Sequence, residues 1–71
     1  AAGLDLLTFT SSAIAENFFK LVKPGQVRGI KIASIGPITS KTIRRLGLKV
    51  DIEPKQATIP ALVEAIVHSF S

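Results

Sequence analysis

Hydroxyl-bearing residues stand at three points where an apolar, β-favouring run gives way to a helical pattern. These are Thr10-Ser11-Ser12, the segment Gly36-Pro37-Ile38-Thr39, and Thr58. The first turn of a helix has backbone N–H groups without intrahelical acceptors, and it carries the positive end of the helix dipole. Several such ends together favour binding of a multiply charged anion. All three segments, Thr58 included, are candidates for the lining of that site.

The same hydroxyls have a simpler interpretation. Ser and Thr are favoured helix N-caps, and each stabilises a fold by about 1 kcal/mol. The residue types alone leave both interpretations open. Besides an enzyme, they allow a non-catalytic anion-binding α/β module, or a structural element whose hydroxyls only cap helices.

Side chains for other kinds of chemistry are scarce. His68 is the only histidine, and it lies near the C-terminus in a predicted helix. Asp5 and Asp51 are far apart and form no carboxylate pair for acid–base work. The chain has no cysteine, no metal-ligand spacing, no P-loop and no G-x-G-x-x-G segment. What remains is a site built from backbone amides and hydroxyls.

The elements that position these residues are predicted from periodicity. Leu4–Thr10 is rich in apolar and β-favouring residues, which indicates a first strand. A helical pattern follows Ser11 and Ser12, and Pro24-Gly25 stops it. Its predicted buried face consists of Ile14, Phe18, Leu21 and Val22.

Two more strand–helix pairs complete the chain. Ile30–Ile35 is the predicted second strand, and Leu48–Ile52, ended by Pro54, is the third. Helical crossovers between strands imply parallel pairing and right-handed connections. The predicted fold class is α/β, a three-layer βαβαβα arrangement with a short parallel sheet. It would form part of a doubly wound, flavodoxin-like lobe.

The two later helices have recognisable ends. Thr39 or Ser40 is predicted to cap the middle helix, and Gly47 suits the left-handed position after it. The predicted buried side chains of this helix are Ile43 and Leu46. The last helix follows Thr58, and its predicted buried stripe is Leu62, Val63, Ile66, Val67 and Phe70.

The 71 residues are expected to form a single partial domain, 1–71. A three-stranded sheet leaves an open edge, which favours self-association or pairing with strands of a longer parent chain. The start Ala1-Ala2-Gly3 has no methionine, which also suggests a longer parent. No apolar run is long enough to cross a membrane. We expect a cytoplasmic protein without a membrane partner.

The charge pattern argues against a nucleic-acid partner. The formal net charge is +4, but the basic residues are dispersed, and only Arg44 and Arg45 are adjacent. Binding to single-stranded nucleic acid usually combines a basic stripe with interleaved aromatic residues. The charge is compatible with an acidic small-molecule ligand.

Four segments, in order, resemble the uroporphyrinogen-III synthase family. Asp5–Ser12 resembles its D-x-x-x-F-T-S segment, and Ile32–Thr39 resembles its A-x-I-G-P-x-T segment. Gly47–Val50 is similar to the G-L-x-V stretch that follows. The late T-x-x-x-L-x-x-A-I pattern is matched by Thr58, Leu62, Ala65 and Ile66.

The resemblance implies a function. It suggests the C-terminal part of a discontinuous lobe in a two-lobed lyase, whose missing strands would lie beside Leu4–Thr10. The family closes hydroxymethylbilane, a linear tetrapyrrole with eight carboxylates, into uroporphyrinogen III with inversion of the last pyrrole ring. It uses no cofactor and no metal. The resemblance also implies that the substrate-binding residues are Thr10, Ser11, Ser12, Gly36, Pro37, Ile38 and Thr39. The predicted partners are therefore an acidic tetrapyrrole substrate and the rest of the parent chain. We expect these 71 residues to be inactive alone.

Overall fold

The computed structural model describes residues 6–70 and places a small parallel sheet between helices. Its elements are β1 (Leu6–Phe9), α1 (Ser12–Leu21), a 3₁₀ helix (Pro24–Val27), β2 (Lys31–Ser34), α2 (Pro37–Arg45) and α3 (Ile59–Ser69). Alternation of strands and helices confirms the α/β class predicted from periodicity. Leu4 and Asp5, the start of the predicted first strand, lie outside the described residues.

The sheet is formed by β1 and β2, which pair in parallel. The register runs from Leu6 opposite Lys31 to Phe9 opposite Ser34. α1 and the 3₁₀ helix connect the two strands, so the predicted helical crossover is confirmed. Within the described residues, β1 ends at Phe9, one residue before its predicted end, and β2 is one residue shorter than predicted at each end.

The predicted third strand, Leu48–Ile52, is wrong as a strand. Only Ile52 makes a bridge, parallel to Ala33, where the Ser34 N–H donates to the Ile52 carbonyl at 2.9 Å. Two residues earlier on β2, the Ile32 N–H donates to Asp51 Oδ2 at 2.8 Å. A continued parallel ladder would give that N–H to the Val50 carbonyl. The Asp51 side chain takes its place, so the pairing is limited to one residue.

Helices cover both faces of the sheet and produce three layers. On one face α1 and α2 pack over a core of Phe9, Ala15, Ile32 and Ile43. The rings of Phe9 and Phe18 meet edge to face with centroids 5.5 Å apart, a favourable aromatic geometry. On the other face α3 packs over a smaller core of Ala33, Ile52 and Leu62.

The buried face of α1 is rotated relative to the predicted face, so that two of the four predicted residues are replaced. Ile14 is 50% exposed and Leu21 is 89% exposed, so neither belongs to the core. The helix instead directs Ala15, Phe18 and Phe19 inward. Positions 15, 18, 19 and 22 follow the i, i+3, i+4, i+7 spacing of a helix face as well as the predicted set does. Packing of Phe18 and Phe19 against Phe9 selects this rotation.

The predicted stripe on α3 is also only partly buried. Leu62 is buried and Ile66 is partly buried, as predicted. Val63, Val67 and Phe70 are each more than half exposed. α3 packs against β2 and the bridge at Ile52. Because the sheet is narrow, it covers only one side of α3, although apolar residues lie on most sides of this helix. By contrast, Ile43 of α2 is fully buried as predicted.

Gly47 adopts φ 93°, which confirms the predicted left-handed residue after α2. Its N–H donates to the Arg44 carbonyl at 3.0 Å and closes the helix end. No helix among residues 6–70 is long and apolar enough to cross a membrane.

Candidate functional site: a cleft between two helix N-termini

An open cleft of about 310 Å³ lies where β1 and β2 end and α1 and α2 begin. Parallel strands end on the same side of a sheet, which is where α/β folds bind ligands. The lining residues are Ser11, Ser12, Ile35, Gly36, Pro37, Ile38, Thr39 and Ala57. Six of the seven residues predicted from sequence are thus brought together.

Ser11 and Ser12 form the α1 side of the cleft. Ser11 Oγ accepts a hydrogen bond from the Ile14 N–H at 3.1 Å, so Ser11 is the N-cap of α1. Ser12 Oγ donates to the Ile38 carbonyl at 3.3 Å. This bond joins the two walls of the cleft across 26 residues of sequence.

The α2 side begins differently. Gly36 is the N-cap residue, Pro37 follows it, and no side chain caps the helix. The predicted cap, Thr39 or Ser40, is wrong, because α2 begins at Pro37 and both residues lie buried inside its first turns. Proline suits this position, since its missing N–H would have had no acceptor. The N–H groups of Ile38 and Thr39 precede the first intrahelical bond and have no hydrogen-bond acceptor among residues 6–70, so they can bind water or a ligand.

The cleft combines this polar helix end with apolar surface. Ile38 is 80% exposed, and Pro37 and Ala57 add further apolar lining. Thr39 also lines the cleft, although the residue as a whole is only 4% exposed. Apolar walls with a few polar groups are typical of small-molecule sites.

Gly36 permits a close approach between the α2 loop and the segment before α3. A Cβ atom on Gly36 would lie 2.8 Å from the Ala57 Cβ, well inside van der Waals contact. Any other residue would therefore displace Ala57 or the loop. Sequence reasoning missed Ala57, because its contribution depends on this long-range contact.

Three polar residues support the α2 loop from beneath. Ser34 and Ser40 are fully buried, and their hydroxyl oxygens lie 2.8 Å apart. Ser34 Oγ donates to the Gly36 carbonyl at 2.9 Å, and Ser40 Oγ contacts Glu53 Oε1. Sequence reasoning gave Ser34 and Glu53 no role at the site. The available signal was the serine in the otherwise apolar run Ile32–Ile35.

Two predicted hydroxyls stay outside the cleft. Thr10 is exposed and does not line it. Thr58 caps α3 by accepting from the Ala61 N–H at 3.3 Å, which matches the capping interpretation. Its neighbour Ala57 reaches the cleft instead. Within residues 6–70, no cluster of three or more His, Cys, Asp or Glu side chains could hold a metal ion.

The fold and the cleft define an α/β module with two helix N-termini at one opening, and one of them lacks a side-chain cap. Such an opening suits an anionic ligand with an apolar body.

Comparison with known proteins gives the family. The model described as "Uroporphyrinogen-III synthase HemD" matches residues 1–64. The chain belongs to the uroporphyrinogen-III synthase family, and the predicted resemblance is confirmed. It is 37% identical over 67 residues to the uroporphyrinogen-III synthase of Chlorobaculum parvum, covering 93% of this chain and 27% of that protein. It is 38% identical over 72 residues to the uroporphyrinogen-III synthase of Synechococcus elongatus, covering 92% and 27%.

The chain therefore spans about a quarter of the length of the curated relatives that it matches. No solved structure gives a significant match to it.

Proposed function

We propose that the full-length protein containing these residues is a uroporphyrinogen-III synthase, a lyase of tetrapyrrole biosynthesis. It would convert hydroxymethylbilane into uroporphyrinogen III with loss of water and inversion of the last pyrrole ring. The observation that carries this proposal beyond the family match is the α2 N-terminus, which lines the cleft without a side-chain cap.

The cleft suits this substrate for electrostatic reasons. Hydroxymethylbilane carries eight carboxylates on an apolar pyrrole framework. The N–H groups of Ile38 and Thr39 lie at the positive end of the α2 dipole, which favours a nearby carboxylate by about 0.3–1 kcal/mol. Hydrogen bonds from these amides and the Thr39 hydroxyl would add to this. Ile38 and Pro37 would contact the pyrrole rings.

These residues would bind and orient the substrate rather than supply a strong acid or base. Closure with inversion requires the last ring to be presented in one orientation, and fixed orientation of reacting groups contributes strongly to rate. Thr10, Ser11, Ser12 and Gly36–Thr39 are the proposed substrate-binding residues, of which Thr10 is exposed and does not line the cleft. No cofactor is proposed.

The rest of the parent chain would complete the lobe and the site. We propose that it adds strands at the free edge of β1 and extends the sheet into a doubly wound, flavodoxin-like lobe. Alone, these 71 residues would be inactive, and the open edge would favour self-association.

The decisive experiment supplies the full-length protein with freshly prepared hydroxymethylbilane and identifies the product isomer. Spontaneous closure inverts no ring and gives isomer I. Predominant isomer III supports the synthase proposal. Isomer I at the uncatalysed rate would reject it and leave a non-catalytic anion-binding module as the better interpretation.

A further inference from the structure

A buried polar network lies directly beneath the loop that begins α2. Ser34 and Ser40 are fully buried, yet neither hydroxyl is left without a partner. A buried hydroxyl costs free energy unless it is hydrogen-bonded, so residues of this type need an explanation beyond packing. The contacts of the two serines provide one.

Ser34 binds both backbone groups of Gly36, the residue from which α2 starts. Its Oγ donates to the Gly36 carbonyl at 2.9 Å and accepts from the Gly36 N–H at 3.3 Å. The Gly36 carbonyl also accepts the Ser40 N–H at 2.9 Å as the first turn of α2 forms. One side chain at the end of β2 therefore fixes the orientation of the first turn.

Ser40 extends the network to a third segment. Its Oγ lies 2.8 Å from Ser34 Oγ and also contacts Glu53 Oε1. The Ser40 hydroxyl has one proton, so it donates either to Ser34 Oγ or to Glu53 Oε1. Glu53 follows the bridge residue Ile52, so the network joins the end of β2, the start of α2 and the segment beside them.

We infer that Ser34, Ser40 and Glu53 are positioning residues for substrate binding. They hold the Gly36–Thr39 turn in the shape in which it lines the cleft, without touching the substrate themselves. This inference rests on the proposed function, because it assigns the turn to recognition of substrate carboxylates. It explains why a helix without a side-chain cap keeps a defined first turn.

The test compares Ser40→Ala, Glu53→Ala and Glu53→Gln in the full-length enzyme with hydroxymethylbilane as substrate. We expect both alanine variants to raise KM roughly two- to tenfold, the equivalent of one lost hydrogen bond, with kcat nearly unchanged. Glu53→Gln keeps an acceptor for Ser40 and should restore KM to near the wild-type value. A merely structural role would lower the folded fraction and the apparent kcat, and would leave KM unchanged.

Thr42→Ala is the matched control, because Thr42 is a buried residue on the same helix and does not line the cleft. Its KM should equal that of the wild type. The inference can be tested even if Ser40→Ala fails to fold. Glu53 is exposed, so its two variants remove no buried side chain.

Unchanged KM in Glu53→Ala, with wild-type enzyme that produces isomer III, would overturn this inference and leave the proposed function standing. Wild-type protein that yields only isomer I would overturn both.

Discussion

The N-termini of α1 and α2 meet at the same cleft, but their backbone N–H groups are satisfied in different ways. Ser11 Oγ accepts the Ile14 N–H at 3.1 Å and completes α1 internally. α2 starts with Gly36-Pro37, and no side chain caps it. The Ser11 hydroxyl is therefore already used by the fold. The end without a side-chain cap is better suited to an anionic ligand.

The α2 end is supported indirectly instead. Ser34 binds Gly36 from the preceding strand, and Ser12 donates to the Ile38 carbonyl from the opposite wall. This support leaves the N–H groups of Ile38 and Thr39 uncommitted. The following variants of the full-length protein test this difference between the N-termini of α1 and α2, in order of decreasing expected effect on activity.

Gly36→Ala should have the largest effect, because its Cβ would lie 2.8 Å from the Ala57 Cβ and would displace the loop. We expect a loss of about 1–3 kcal/mol in the free energy of unfolding and a pronounced fall in kcat/KM. Urea denaturation and steady-state kinetics measure the two effects. Gly25→Ala is the control, since a Cβ there meets nothing within 4 Å. Equal effects of both substitutions would argue against a special role for the close approach at Gly36.

Thr39→Val should raise KM for hydroxymethylbilane roughly two- to tenfold, because it removes a hydroxyl that lines the cleft and keeps the side-chain shape. Thr42→Val makes the same change one turn later on α2, away from the cleft, and should leave KM unchanged. Steady-state kinetics and thermal unfolding together separate affinity from stability. A lower stability with normal KM in Thr39→Val would show that this hydroxyl serves only the fold.

Ser11→Asp should raise KM roughly two- to fivefold and leave the free energy of unfolding nearly unchanged. Aspartate is as good an N-cap as serine, but its charge would repel substrate carboxylates at the cleft. Asn17→Asp introduces the same charge on an exposed position of α1 outside the cleft, so it provides the control. The KM increase should diminish at high salt, where charge repulsion is screened. Equal KM for the two variants would contradict a substrate carboxylate near Ser11.

Thr58→Ala should affect activity least, because Thr58 caps α3 and does not line the cleft. We expect the free energy of unfolding to fall by about 1 kcal/mol, measured by urea denaturation, with KM unchanged. A rise in KM without a loss of stability would instead place Thr58 in the binding site, as its position in the sequence first suggested.

Local chemistry made a large part of the fold predictable. β1 and β2 appear within the predicted segments, Ser11 and Thr58 cap their helices, and Gly47 adopts the left-handed conformation after α2. Each of these features depends on residues within one helical turn or on short apolar runs. The parallel pairing followed from the helical crossover alone.

Features that depend on distant neighbours were not predictable. The third strand failed because the Asp51 side chain takes the N–H of Ile32, 19 residues away. The face of α1 was set by the packing of Phe18 and Phe19 against Phe9, since two rotations one residue apart satisfy the same helical spacing. No local pattern distinguishes the two rotations of α1.

The sequence by itself determined the family, the α/β class with β1 and β2 parallel, and the end of the sheet at which Ser11, Ser12 and Thr39 gather. These properties follow from short motifs and from the geometry of parallel strands. The tertiary structure alone decided which helix end keeps free N–H groups. The Ser34–Ser40–Glu53 network and the approach of Gly36 to Ala57 lie at that end and join residues that are separate in sequence. Buried hydrogen bonds and van der Waals contacts exist only once the chain has folded.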